Sequence, residues 1–184
     1  MTSSQFAGNT QVNERLARHL AAHAVAALRA QFRVELVTLN GTTETQSGVR
    51  CDWKQARAAY NDDRRLLIWG FALAYIGGLI DEGGTDDFSG AHRLEVKSDM
   101  DLSEKLRETA VELGLAPSIQ ETNPFAHSGY KLASRLIRRD RTVIDSLSAL
   151  LIERTIINES ALLAWFGENA PAYPLGDLEK SSTF

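Results

Sequence analysis

From Thr10 to Gln31 the chain runs without a glycine or a proline and is dense in alanine and leucine. That run leaves little choice of local structure, because both residues favour helix and neither strong helix breaker is present. Leu16, Leu20, Ala24, Ala27 and Leu28 recur at helical spacing, which predicts an amphipathic helix burying one face. His19 and His23 stand four apart in the same segment, so they share a face one turn from each other. Any fold that wraps this helix holds two imidazoles side by side.

The rest of the chain punctuates itself. Phe32 to Leu39 alternates and is rich in β-formers, which predicts a strand. Asn40-Gly41 is a turn signal, and Ser47 to Asp52 is the expected partner strand. Asp52 is a plausible N-cap for a helix starting at Trp53, Asn61-Asp62-Asp63 interrupts it, and a second helix runs on to Ile80 before Gly83-Gly84. Residues 83–100 carry no pattern and read as a long polar loop. Leu102, Leu106, Ala110 and Leu113 mark a helix over Asp101 to Leu113 that Gly114 stops. After a proline-containing connection from Ala116 to Phe125, Leu132, Leu136, Val143, Leu147, Leu150 and Leu151 predict a long helix over Ser128 to Glu153. A short helix, Ser160 to Phe166, follows Asn158. The expectation is a mainly α domain with a small β-hairpin over residues 11–167, between a flexible N-terminus (1–10) and a loosely held tail (168–184).

Charge and cysteine usage narrow the partners and the compartment. A net charge of −4 gives no basic field for nucleic acid. The one basic cluster, Arg135, Arg138, Arg139 and Arg141 around Asp140, reads as a solvated helix face. Leu66 to Ile80, the longest apolar stretch, falls short of the ~20 residues a membrane span needs, and it contains Gly70, Gly77 and Gly78. Met1 to Thr10 has no basic segment followed by an apolar run, so no secretory signal is expected. Cys51 is the only cysteine, which rules out an internal disulfide and a cysteine-rich zinc site, and a cytoplasmic location is the expectation. Trp53, Trp69 and Trp165 are expected in the core or an interface.

The histidine pair carries the most chemistry. Imidazoles at i and i+4 of a helix converge on one zinc ion in peptidases of the His-Glu-x-x-His kind. Those enzymes need glutamate directly after the first histidine, to take a proton from the attacking water and pass it to the leaving amine. Leu20 stands there, and leucine accepts no proton. No Gly-x-Ser-x-Gly elbow and no Gly-x-x-x-x-Gly-Lys-Ser/Thr phosphate loop occurs in the chain, and His92 and His127 have no spaced partners.

Several segments, in order, resemble the peptidase domain of the FtsH-type AAA zinc metalloproteases. His19-Leu20-Ala21-Ala22-His23-Ala24-Val25 is similar to that family's His-Glu-Ala-Gly-His-Ala-Val, with leucine for glutamate and alanine for glycine. Val34 to Leu39 resembles the following Val-x-x-Val-Thr-Ile strand, and Ala72 to Gly78 the Leu-Ala-x-x-Leu-Gly-Gly segment that leads to a glutamate pair, whose first member falls at Glu82. Met100-Asp101-Leu102 matches the family's Asn-Asp-Leu with methionine for asparagine, and Arg141 to Phe166 is similar to its closing helices.

The resemblance implies a helical zinc-peptidase-like fold and a metal site formed by His19, His23 and Asp101. It implies zinc as cofactor, Glu82 as acceptor behind a ligating ring, and no catalytic base, since Leu20 occupies that position. The function expected is therefore a pseudo-peptidase that binds peptide or protein, or assembles with itself or with an AAA protease. The second reading is a residual metallopeptidase in which Asp81, Glu82 or Asp99 acts as base.

Overall fold

The computed structural model describes residues 3–39, 48–52, 60, 62–81 and 90–173, without the side chains of residues 3–13, 81 and 90–97. Helix α1 (Ser3–Arg29) leads into strand β1 (Arg33–Thr38), then β2 (Gly48–Asp52) and helix α2 (Asp63–Asp81). Helix α3 (Gly90–Glu112), one 3-10 turn (Gln120–Thr122), helix α4 (Asn123–Arg154), strand β3 (Ile156–Asn158) and helix α5 (Glu159–Asn169) complete the fold. It is mainly α with a small antiparallel sheet, as the periodicity predicts.

Helix α1 is the centre of the core. Leu16, Ala17, Leu20, Ala21, Ala22 and every residue from Ala24 to Ala27 are buried. The helix keeps an exposed polar edge at Glu14 and Arg18, as its apolar spacing predicts, and alanine between the leucines widens the buried face. Helices α2 and α4 pack on α1 and on each other, and α3 packs on α2. Trp69 is buried among them, while Trp165 of α5 packs partly buried against the same core.

The ends of α1 and α3 explain why the chain turns where it does. At Gln31 (φ 61°) the amide of Phe32 donates to Ala27 O at 2.8 Å and that of Gln31 to Leu28 O at 3.0 Å. The same pair of bonds closes α3 at Gly114 (φ 67°), from Leu115 to Ala110 and from Gly114 to Val111, both at 2.9 Å. At α2, Asp62 Oδ1 accepts from the amides of Arg64 and Arg65 at 3.0 and 3.3 Å, capping the helix where the Asn-Asp-Asp signal falls.

Strand β1 follows α1 after three residues and forms the middle of a three-stranded sheet in the order β2-β1-β3. Both pairings are antiparallel, with a register shift between Val34 and Leu36 against β2. The third strand was not expected. It pairs Leu36, Val37 and Thr38 with Asn158, Ile157 and Ile156, and three residues are too short to show alternation.

Three further observations bear on the expected boundaries and faces. Helix α1 begins at Ser3, inside the segment expected to be flexible. Helix α3 begins at Gly90, inside the stretch expected to be a loop, because its first turns lack an apolar stripe. Asp140 is fully buried, not part of a solvated face. Its backbone (φ −103°, ψ 18°) kinks α4, and its carboxylate accepts from Arg29 Nη2 at 2.8 Å and Nε at 3.1 Å. Tyr173 Oη donates to the same carboxylate, and the Arg29 guanidinium lies 4.1 Å from the Tyr173 ring centroid and 4.9 Å from that of Phe166. The Asn40-Gly41 turn, the Trp53 helix, Gly83-Gly84 and Glu82 lie outside the described residues. No described helix is long and apolar enough to cross a membrane.

Candidate metal centre

His19 and His23 occupy successive turns of α1 on the side that faces α2 and α3. The imidazole of His19 is fully buried, and that of His23 is 12% exposed. Their ring centroids lie 4.8 Å apart with the planes at 50°, so the rings are tilted toward a common point rather than stacked. Nε2 of one is 3.2 Å from Nε2 of the other. Helix α3 closes the third side with Asp99, whose Oδ1 is 3.3 Å from His23 Nε2 and whose Oδ2 is 3.5 Å from His19 Nε2.

These separations have a chemical meaning. Zinc bound tetrahedrally at 2.0–2.1 Å from nitrogen and oxygen donors needs donor–donor edges of about 3.3–3.4 Å. The three edges here, 3.2, 3.3 and 3.5 Å, bracket that value. Two imidazoles and one carboxylate are also the donor set that suits zinc while leaving a fourth position open. Asp99 Oδ2 is buried and accepts no hydrogen bond from any described residue. A buried carboxylate oxygen without a donor is costly unless a cation compensates it. His19, His23 and Asp99 thus form a group fit to hold one metal ion.

Helix α2 makes room for the group. A β-carbon at Gly77 would overlap His19 Cε1 and come within 2.6 Å of His23 Nε2 and 2.7 Å of Asp99 Oδ2. Only glycine fits there, since nothing with a side chain leaves the ligating atoms where they are. Gly78, its neighbour, has nothing within 4 Å of the same construction.

Two cavities meet at Asp99. One, of about 310 Å³, lies beside His23 and is walled by Leu20, Leu73, Val49 and Cys51 with Asp101 and Lys105. The other, of about 610 Å³, lies between α2, α3 and α4. Leu20 therefore presents hydrocarbon to the space next to His23. The Cys51 thiol faces the same cavity from β2, and burial, with the Glu35 charge adding to it, pushes its pKa up to about 12. It is a neutral thiol at physiological pH and is not one of the three grouped donors.

Of the residues singled out in the sequence, His19 and His23 come together and Asp101 does not join them. Asp101 is exposed two positions along α3, lining both cavities, and Asp99 supplies the nearby carboxylate. The helical repeat explains the difference: Asp99 is three residues before Leu102 and shares the stripe of Leu102, Leu106 and Ala110 that packs inward, whereas Asp101 is turned about 100° from Leu102. That spacing was the signal available in the sequence. Glu82 lies outside the described residues, as does the side chain of Asp81, and His127 is exposed on α4 and is not among the grouped donors.

The chain matches no protein-family model and no curated protein.

Proposed function

We propose that this protein is a metal-binding pseudo-peptidase: a non-catalytic relative of the FtsH-type peptidase domain that retains one zinc ion and acts by binding peptide or protein. The observation that carries the metal half of this reading is the triangle of His19, His23 and Asp99 with edges of 3.2–3.5 Å. The observation that carries the non-catalytic half is Leu20, buried beside that triangle where a proton acceptor would be needed.

His19 and His23 hold the metal through Nε2 and Asp99 through its carboxylate. When bound, the ion supplies a Lewis-acidic position facing the cavities. Leu20 offers no base at its own position on the wall next to His23. General-base catalysis contributes about 10²–10⁴-fold, so a centre without it binds a carbonyl-bearing ligand far better than it cleaves one. Binding to a relative or to further copies of the chain belongs to the same reading.

Metal analysis and a casein assay test it together. Purified protein dialysed against zinc is expected to keep one zinc per chain and to leave unfolded casein intact. Less than about 0.1 zinc per chain removes the metal centre, since a site of this kind is saturated under such conditions. Cleavage by the wild-type chain removes the pseudo-peptidase and favours a residual enzyme.

A further inference from the structure

Large apolar side chains left in water are informative when they cluster. Met100, Ile119 and Tyr130 are 69%, 47% and 44% exposed, and all three line the 610 Å³ cavity that begins at Asp99. Tyr75 lies beneath them, its ring edge-on to Tyr130 with centroids 6.2 Å apart. The rim is acidic. Asp101 and Glu104, one turn apart on α3, are exposed on it, and neither pairs with a cation among the described residues. Among the described residues Arg107 is the one cation lining the cavity, and its Nη1 donates to Thr122 Oγ1 at 2.8 Å and to Asn123 Oδ1 at 2.9 Å. Its charge is directed at the start of α4.

We infer that this groove docks an extended segment of a partner protein in which a bulky apolar side chain is flanked by lysine or arginine. The inference rests on the peptide-binding reading above and names its ligand class. The apolar floor takes the bulky side chain, which is the part of a peptide that gains most from leaving water. Asp101 and Glu104 take the flanking cations and select against acidic segments by like-charge repulsion. The size of the cavity suits a few side chains. A second copy of this chain is disfavoured by its net charge of −4 against an acidic rim. The groove ends at Asp99, so a docked segment runs alongside the metal centre.

The test is fluorescence anisotropy with the full chain, with and without added zinc. The probe is a short fluorescein-labelled peptide with lysines on either side of a Leu-Phe pair. Its counterparts carry glutamates for the lysines, or serines for the Leu-Phe pair. At about 0.1 M salt, where exposed charges still act over ~10 Å, the lysine peptide is expected to bind at least about tenfold more tightly than either counterpart. The double variant Asp101→Lys/Glu104→Lys is expected to weaken the lysine peptide about tenfold and to favour the glutamate peptide. Met100→Ser/Ile119→Ser is expected to weaken both charged peptides by a similar factor. All four positions are exposed, and circular dichroism checks that the variants stay folded.

Equal binding of the lysine and glutamate peptides, or binding of neither, overturns the inference. So does sedimentation showing that these substitutions dissociate a dimer, which assigns the groove to a second copy. Zinc content measured on the same samples separates the two readings. Zinc retained without peptide binding defeats the groove alone, and peptide binding without zinc supports the groove while defeating the metal centre alone.

Discussion

A β-carbon on Gly77 of α2 would occupy the space of His19 Cε1 on α1. The two helices approach closely enough at this point that the absence of a side chain on one sets the position of a candidate ligand on the other. Gly77→Ala is therefore expected to push the His19 ring out of its buried position and to weaken zinc binding by more than about 100-fold, with a lowered Tm. Gly78→Ala is the control. It meets nothing within 4 Å and should stabilise α2 by about 0.5–1 kcal/mol through helix propensity, leaving zinc affinity unchanged. Zinc titration with a competing chelator and thermal melts of both variants check this.

Leu20→Glu places a proton acceptor beside the candidate metal group. In the zinc-loaded protein the substitution is expected to produce casein cleavage where the wild type shows none. In the metal-free protein the new carboxyl stands at a fully buried position and should cost about 2–4 kcal/mol of stability, measured by urea unfolding. Added zinc should recover part of that loss, because binding to the folded state alone stabilises it.

Cys51 predicts a pH signature. Its folded-state pKa is raised, by burial first and by Glu35 second, to about 12, against about 8.5 for a free thiol. A group raised in the folded state contributes stability that is complete below the unfolded value. That contribution declines as pH climbs from about 8.5 toward about 12. Stability should thus fall across this alkaline range more steeply in the wild type than in Cys51→Ser. At pH 8 alkylation by iodoacetamide should run about a thousandfold slower in the folded chain than in urea, since the thiolate is the reacting form.

The buried Arg29–Asp140 pair holds the end of α1 against the kink of α4. Asp140→Ala leaves the guanidinium buried without its carboxylate and is expected to cost about 3–5 kcal/mol. Tyr173→Phe removes one hydrogen bond to the same carboxylate and should cost about 1 kcal/mol. Both losses are read by urea unfolding. Neither residue is one of the three grouped donors, so zinc stoichiometry below the transition should stay at one.

Much of the architecture is legible in the sequence because local signals and packing agree. Alanine and leucine without a breaker fix α1, Asp62 caps α2, Gly114 ends α3, and Asn158 caps α5 by accepting from the Ala161 amide at 3.0 Å. The misses share a cause. Asp140 sits in the inward stripe of Leu136, Val143 and Leu147, yet its arginine neighbours in sequence hide it, and its partner Arg29 is 111 residues away. Strand β3 exists only because β1 offers it an edge. The metal group divides in the same way. The α1 pair is read directly from its spacing, whereas the choice of Asp99 over Asp101 depends on the rotation of α3 about its axis, which a motif match does not carry and the apolar stripe does.

That choice gives the most direct measurement: zinc affinity, by isothermal titration, of the wild type, Asp99→Ala and Asp101→Ala. The wild type is expected to bind one zinc per chain, Asp99→Ala to bind at least about 100-fold more weakly, and Asp101→Ala to match the wild type within about threefold, as an exposed residue outside the grouped donors should. A wild type that takes up no zinc, or a loss of affinity in Asp101→Ala with none in Asp99→Ala, contradicts a centre built from His19, His23 and Asp99.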